Sequence, residues 1–222
     1  MTVTSGQPTV GSTVASDPVP IGRLELYWIP LGAGDGFGAH VVRASGRIYE
    51  RLVASMHRRP PAPLFHSALI ASTSAGRYVV EMTPVPSDGA AADRGVVAGG
   101  AVGSSILGRA RIFRYEVRCW LHGVIPDIDH AVDSPVLVST DGDETQHVLD
   151  LLLDVPRAVW GRDDAHVGDM WNSNSVVSWT LERAALIERA GVPPRRGRAP
   201  GWDAGIALAR RAAEPASGRR RP

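Results

Sequence analysis

Two apolar segments separated by a short turn constrain the fold of this chain more than any other feature. Residues 64–72 and 77–83 are dominated by side chains typical of strands, and the intervening Thr73-Ser74-Ala75-Gly76 is typical of a tight turn. A hairpin closed by these four residues pairs Ser72 with Arg77. The sequence therefore predicts an antiparallel pair of strands with a defined register.

The same register relates two side chains that can carry chemistry. His66 lies opposite Thr83, and Glu81 shares the face of His66 one diagonal position away. A carboxylate in that position can orient an imidazole, as the third member of a catalytic triad does. Two interpretations stay open: a catalytic histidine held by Glu81, or a strand-end histidine bonded to backbone beside a solvated carboxylate.

Further strands and helices are predicted on both sides of the hairpin. Strands are predicted at 24–29 and 111–120, and helices at 39–58, 144–153, 173–190 and 202–213. Thr140 or Asp141 is expected to cap the second helix. The connecting segments are a glycine-rich turn at 32–38, a long Gly/Ala/Ser loop at 84–105, an irregular stretch at 122–136 and a loop at 156–170. This order of elements indicates an α+β fold.

Length and composition place the chain among globular proteins with one domain. It has 222 residues, of which 44% are hydrophobic and 21% charged, and its net charge of +1 creates no field that attracts nucleic acid. We expect a disordered lead at 1–20, a single domain at 21–213 and a flexible basic tail at 214–222. Neither a signal peptide nor an apolar run of membrane-spanning length is recognisable, so a cytoplasmic location and no membrane span are predicted.

The residue inventory excludes several kinds of chemistry. All 24 basic residues are arginine, so a lysine nucleophile, a Schiff base and a phosphate-loop lysine are impossible. Cys119 is the single cysteine, which excludes an intramolecular disulfide and a cysteine-based zinc site. The His/Asp groups at 127–130 and 163–166 lack the spacing of metal motifs, so no metal and no cofactor are expected. The arginine-rich segment 195–198 is more typical of a solvated loop than of an anion site.

A polar cluster, Trp171-Asn172-Ser173-Asn174-Ser175, precedes an apolar helix. Asn172 is a favoured N-cap residue, which places Ser173 in the first turn, where unpaired N–H groups and the positive end of the helix dipole converge. Such a place can stabilise an oxyanion, although a serine nucleophile there needs a general base. Taken by itself, the cluster is most economically explained as a helix cap.

His66 at the start of a strand, followed much later by Asn172-Ser173-Asn174 at the start of a helix, resembles the circularly permuted papain-like proteins. This group includes NlpC/P60-like, lecithin–retinol acyltransferase-like and PPPDE-like proteins, and the resemblance covers residues 64–190. It implies a small antiparallel barrel or sheet packed against helices. It also implies hydrolysis or transfer at an acyl bond.

By this resemblance Ser173 takes the nucleophile position, His66 the base position and Glu81 at most the orienting position. Asn172, Asn174 and Trp171 become candidates for substrate or oxyanion binding, and the loop at 84–105 becomes a candidate lid. The expected partner is a small-molecule, lipid or peptide acyl substrate rather than nucleic acid.

The family carries cysteine where this chain has Ser173, and three alternatives follow. The serine is an active nucleophile, or the protein is an inactive papain-like scaffold, or the native enzyme has Cys at 173. The sequence does not choose among them, nor does it fix the oligomeric state.

Overall fold

A computed structural model describes residues 21–33, 50, 54–55, 58–85, 95–106, 108, 113–125 and 127–214. The predicted helix at 39–58 and the glycine-rich turn at 32–38 fall largely outside these residues. The N-terminal lead and nearly all of the C-terminal tail also lie outside them.

In the part of the chain that the structure describes, six strands form one antiparallel sheet. They are β1 (Arg23–Pro30), β2 (Phe65–Thr73), β3 (Gly76–Pro84), β4 (Val96–Ala101), β5 (Arg114–Leu121) and β6 (Val136–Ser139), arranged in the order β4-β5-β3-β2-β1-β6. The sheet is open, with β4 and β6 at its two edges, so the described residues do not close the barrel that the papain-like resemblance allowed.

The predicted hairpin register is confirmed, but the two strands separate at one end. Ser72 pairs with Arg77, and the ladder between β2 and β3 runs as far as Leu69 and Val80. Beyond that point β3 continues along β5 to its end at Pro84. Along one edge, the first residues of β2 therefore have no partner in β3. Other parts of the chain form the backbone hydrogen bonds there.

Two of the strands were not predicted, and one of them lies in a segment predicted as loop. β4 lies within the predicted loop at 84–105, and β6 follows the stretch predicted as irregular. The sequence of β4 is Val-Val-Ala-Gly-Gly-Ala, which has a low strand propensity. Packing overrides this propensity, because a Cβ at Gly100 would lie only 2.6 Å from the ring of Tyr115 on the neighbouring strand.

Three helices whose two ends lie within the described residues accompany the sheet: α1 (Gly142–Leu151), α2 (Ser173–Arg183) and α3 (Trp202–Ala213). Asp141 caps α1 by accepting the amides of Asp143 and Glu144 at 2.8 and 2.9 Å, which decides between the two predicted caps. The prediction that α2 continues to residue 190 is wrong. The helix ends where Ala185 adopts a left-handed φ of 57°, and a separate 3-10 turn follows at Ile187–Ala190.

The two faces of β2 have different surroundings. Phe65, Leu69 and Ala71 belong to the main core, together with Val176 and Val177 of α2. Because side chains alternate along a strand, His66 lies on the other face with the residues of a smaller core. That smaller core contains Ile29, Ala68, Ile70, Val79 and Ile125.

Candidate active site

Asn172 acts as the cap that its residue type predicts. Its Oδ1 accepts the amide of Asn174 at 2.9 Å, and its own amide donates to Ser175 Oγ at 3.0 Å, which completes a capping box. Its Nδ2 also donates to the carbonyl of Pro200 at 2.7 Å. Both ends of the Asn172 side chain are therefore engaged in holding the start of α2.

The side chain of Asn174 joins α2 to the exposed edge of β2. Its Oδ1 accepts the amide and the hydroxyl of Ser67 at 2.7 and 2.9 Å. Its Nδ2 donates to the carbonyls of Phe65 and Pro200 at 3.0 and 2.8 Å. All four hydrogen-bonding positions of the amide are filled. Since Phe65 and Ser67 flank His66, this contact brings the start of α2 beside the histidine.

Ser175 and Ser178 are buried where α2 meets α3. Ser175 Oγ donates to Gly201 O at 2.7 Å, and Ser178 Oγ donates to Trp202 O at 2.8 Å. A Cβ at Gly205 would lie 2.1 Å from Ser178 Oγ and 2.2 Å from Ser175 O, so the two helices touch at a position that only glycine fits. These two serines are structural.

Ser173 differs from its neighbours. It is half-buried, and its hydroxyl makes no hydrogen bond to any residue in the described part of the chain. The amides of Asn174, Ser175 and Val176 all bond to Asn172. The amide of Ser173 has no such partner within the same residues. An unpaired hydroxyl and an unpaired N–H group therefore lie together at the positive end of α2.

The imidazole of His66 lies beside Asp127, with Nε2 at 3.4 Å from Asp127 Oδ2. Hydrogen bonding and charge from His66 keep the pKa of Asp127 below its ordinary value, although partial burial opposes this shift. Asp127 comes from the stretch before β6, which sequence reasoning treated as irregular and considered only for metal binding. The register of the hairpin could not predict Asp127, because the loop that carries Asp127 is far from the hairpin in sequence.

Glu81 is directed toward an arginine. Its Oε1 lies 3.4 Å from Nη1 of Arg118 on β5, and Arg118 also pairs with Glu116 at 3.1 Å. Burial raises the pKa of Glu81, while the charges of Arg118 and His66 oppose the rise. Glu81 thus lies in the electrostatic surroundings of His66, whereas Asp127 is the carboxylate that pairs with the ring.

Other candidates contribute packing rather than chemistry. Trp171 is 1% exposed and belongs to the main core. Burial raises the pKa of the Cys119 thiol to about 11, which disfavours a reactive thiolate. Nowhere in the described ranges do three His, Cys, Asp or Glu residues gather closely enough to hold a metal ion. The helices within those ranges are all too short or too polar to cross a bilayer.

The structure thus brings the segments of Ser173 and His66 together without joining the two side chains. Asn174 binds the backbone on both sides of His66, yet the ring points to the face of Asp127. Among the described residues, no hydrogen bond joins Ser173 Oγ to the imidazole of His66, whose ion-pair partner is Asp127. No protein-family model matches the chain, and neither a curated protein nor a solved structure is significantly similar to it.

Proposed function

We propose that this protein hydrolyses or transfers an acyl group, with Ser173 as nucleophile and His66 as general base. The observation that carries the proposal is the difference between Ser173 and its neighbours at the start of α2. The side chains of Asn172, Asn174 and Ser175 form hydrogen bonds that hold this region together, whereas Ser173 has no partner among the described residues. The bonds from Asn174 to Phe65 and Ser67, which flank His66, support the proposed pairing of the two residues.

The roles follow from the surroundings of each group. Ser173 Oγ attacks the acyl carbon while His66 accepts its proton, and His66 then returns that proton to the leaving group as its bond to the acyl carbon breaks. Water or an acceptor molecule next attacks the acyl-Ser173 ester, with His66 taking its proton and returning it to Ser173 Oγ. Asp127 orients the imidazole, a role that the sequence had suggested for Glu81. The unpaired N–H of Ser173 and the helix dipole stabilise the oxyanion. Asn172 and Asn174 are positioning residues in this proposal, and the substrate is a small-molecule, lipid or peptide acyl compound.

The second candidate is a non-catalytic scaffold that keeps the papain-like arrangement. The observation that favours it is the pairing of His66 with Asp127 on the face away from the α2 core, together with the missing hydrogen bond from Ser173. A related alternative is a thiol enzyme whose nucleophile is Cys at 173.

A fluorophosphonate probe separates these candidates. We expect labelling at Ser173, located by peptide mass spectrometry, and its complete loss in Ser173→Ala. His66→Gln should slow labelling by about 100-fold or more, the usual contribution of a general base. Ser74→Ala, which removes an exposed hairpin serine, is the matched control and should label normally.

The Ser173→Cys variant distinguishes the remaining outcomes. Acyl-ester cleavage by Ser173→Cys, without labelling of the unmodified protein, would indicate a thiol enzyme. A folded protein that neither labels at Ser173 nor gains activity as Ser173→Cys would overturn the catalytic proposal and leave the scaffold.

A further inference from the structure

An arginine-lined cavity lies beside the start of β2. Its volume is about 410 Å³, and its walls combine a proline-rich segment with four guanidinium groups. The lining residues are Arg59, Pro60, Pro61, Ala62, Pro63, Arg195, Arg196 and Arg198. Positive charge is therefore concentrated at this cavity, although the net charge of the chain is only +1.

One described carboxylate, Glu50, partly neutralises this charge. It is 2% exposed and binds Arg59 with both oxygens, while Oε1 also accepts the amide of Ala62 at 2.9 Å. Arg198 Nη1 lies 3.6 Å from Glu50 Oε2, and this buried nitrogen has no hydrogen-bond partner in the described part of the molecule. Two of the four lining arginines, Arg59 and Arg198, therefore share this one carboxylate.

Arg195 and Arg196 are the uncompensated members of the group. Both side chains are exposed, and neither makes a hydrogen bond or ion pair with any described residue. Asp133 lines an adjacent cavity with them but pairs with neither. Both arginines have a left-handed φ of 53°. This left-handed conformation, which favours glycine, is held here by two successive arginines.

The cavity wall is firmly attached to the sheet. The carbonyl of Arg198 accepts the amide of Phe65 at 2.8 Å, and the amide of Arg198 donates to Pro63 O at 2.8 Å. The segment 60–63, in which three prolines have fixed φ, also lines the cavity. The guanidinium groups are therefore presented by backbone that is already ordered, which lowers the entropic cost of binding a ligand.

We propose that this cavity binds a phosphate dianion, either free or as the monoester group of a small molecule. The guanidinium fork matches the oxygens of phosphate and of carboxylate. A phosphate monoester carries close to two negative charges at neutral pH, so it neutralises the excess of the four arginines better than a single carboxylate does. The proposal does not depend on whether Ser173 is a nucleophile.

The test is calorimetric titration with inorganic phosphate at constant ionic strength, with β-glycerophosphate and acetate as separate arms. We expect saturable phosphate binding that weakens by about tenfold or more in the Arg195→Gln/Arg196→Gln double variant, because each charged hydrogen bond contributes about that factor. Arg162→Gln/Arg211→Gln removes the same charge elsewhere and should change the affinity by less than about twofold if long-range charge is screened.

Each result has a defined meaning. Equal weakening in both double variants, or no saturable phosphate binding, overturns the proposal. Acetate binding as tight as phosphate overturns the choice of a dianion, and the β-glycerophosphate arm shows whether an ester is accepted. Arg195→Gly guards against a folding defect, because glycine tolerates the left-handed φ. This variant should melt no lower than the unmodified protein in chloride buffer and still bind phosphate more weakly.

Discussion

Asn174 holds Ser67 through one oxygen, which accepts both the backbone amide and the hydroxyl of that residue. The Nδ2 group of the same asparagine donates to the carbonyl of Phe65 in β2 and to the carbonyl of Pro200 in the loop before α3. Together with the carbonyl of Arg198, which accepts the amide of Phe65 at 2.8 Å, this side chain replaces the strand partner that β2 loses where β3 departs. These hydrogen bonds explain why the start of α2 lies at the edge of β2.

The first prediction concerns this asparagine. Asn174→Ala should lower the free energy of unfolding by about 3 kcal/mol, because it leaves several buried polar groups without partners. Ser67→Ala removes only one hydroxyl and should cost about 1 kcal/mol. Urea denaturation followed by circular dichroism measures both values. Equal losses in the two variants would contradict the central position assigned to Asn174.

The second prediction separates two serines that stand two positions apart. Ser175→Ala should destabilise the protein by about 2 kcal/mol, because it opens the capping box and leaves Gly201 O unsatisfied. Ser173→Ala should change the stability by less than about 0.5 kcal/mol, as is usual for a side chain without such contacts. Thermal unfolding of both variants provides the measurement. A large loss in Ser173→Ala would reveal a structural role for that hydroxyl.

A third prediction compares two helical glycines. Gly205→Ala should cost about 2 kcal/mol or more, because its Cβ would overlap Ser178 Oγ and Ser175 O. Gly142→Ala meets no atom closer than 4.0 Å and should be neutral or add up to about 1 kcal/mol through helix propensity. Chemical denaturation checks both. Equal tolerance at the two sites would mean that α2 and α3 pack less closely than described.

The fourth prediction concerns acid and Glu50. Burial alone would raise the pKa of Glu50. Hydrogen bonds from Arg59 and Ala62, together with the charges of Arg59 and Arg198, lower it by more, so the pKa lies below its ordinary value of 4.5. A carboxyl with a depressed folded-state pKa contributes stability that is complete above its unfolded pKa and is lost as the pH falls through the folded value.

Glu50→Gln should therefore be less stable than the unmodified protein at pH 7, by about 3 kcal/mol for a broken buried ion pair. The difference should shrink as the pH falls below about 4.5, because acid removes the same charge from the unmodified protein. Urea midpoints measured from pH 7 to pH 3 give the comparison. A difference that stays constant over this range would contradict the ion pair with Arg59.

Local patterns predicted the elements whose packing agrees with their sequence. The hairpin turn at residues 73–76 set the register of β2 and β3, and α3 begins and ends at the predicted residues 202 and 213. The strand predicted at 24–29 lies inside β1, and α1 needed only a shift of two residues. In each case propensity, turn chemistry and hydrophobic period indicate the same structure.

The errors arose where tertiary contacts decide the outcome. β4 pairs with β5 despite its glycines, since the ring of Tyr115 occupies the space where a side chain at Gly100 would project. The carboxylate beside His66 is supplied by Asp127, and no local pattern relates that residue to the hairpin. Within the described residues, the fold is α+β, with an open antiparallel sheet and helices packed against it.

The contact of α2 with the segment before α3 has a consequence for synthesis. The carbonyls of Pro200, Gly201 and Trp202 complete the hydrogen bonds of the first turns of α2, although they follow its start by more than twenty residues. During translation α2 emerges before these partners exist. We therefore expect a nascent chain stalled before residue 200 to be protease-sensitive around Ser173, and resistance to develop only after the last helix has left the ribosome.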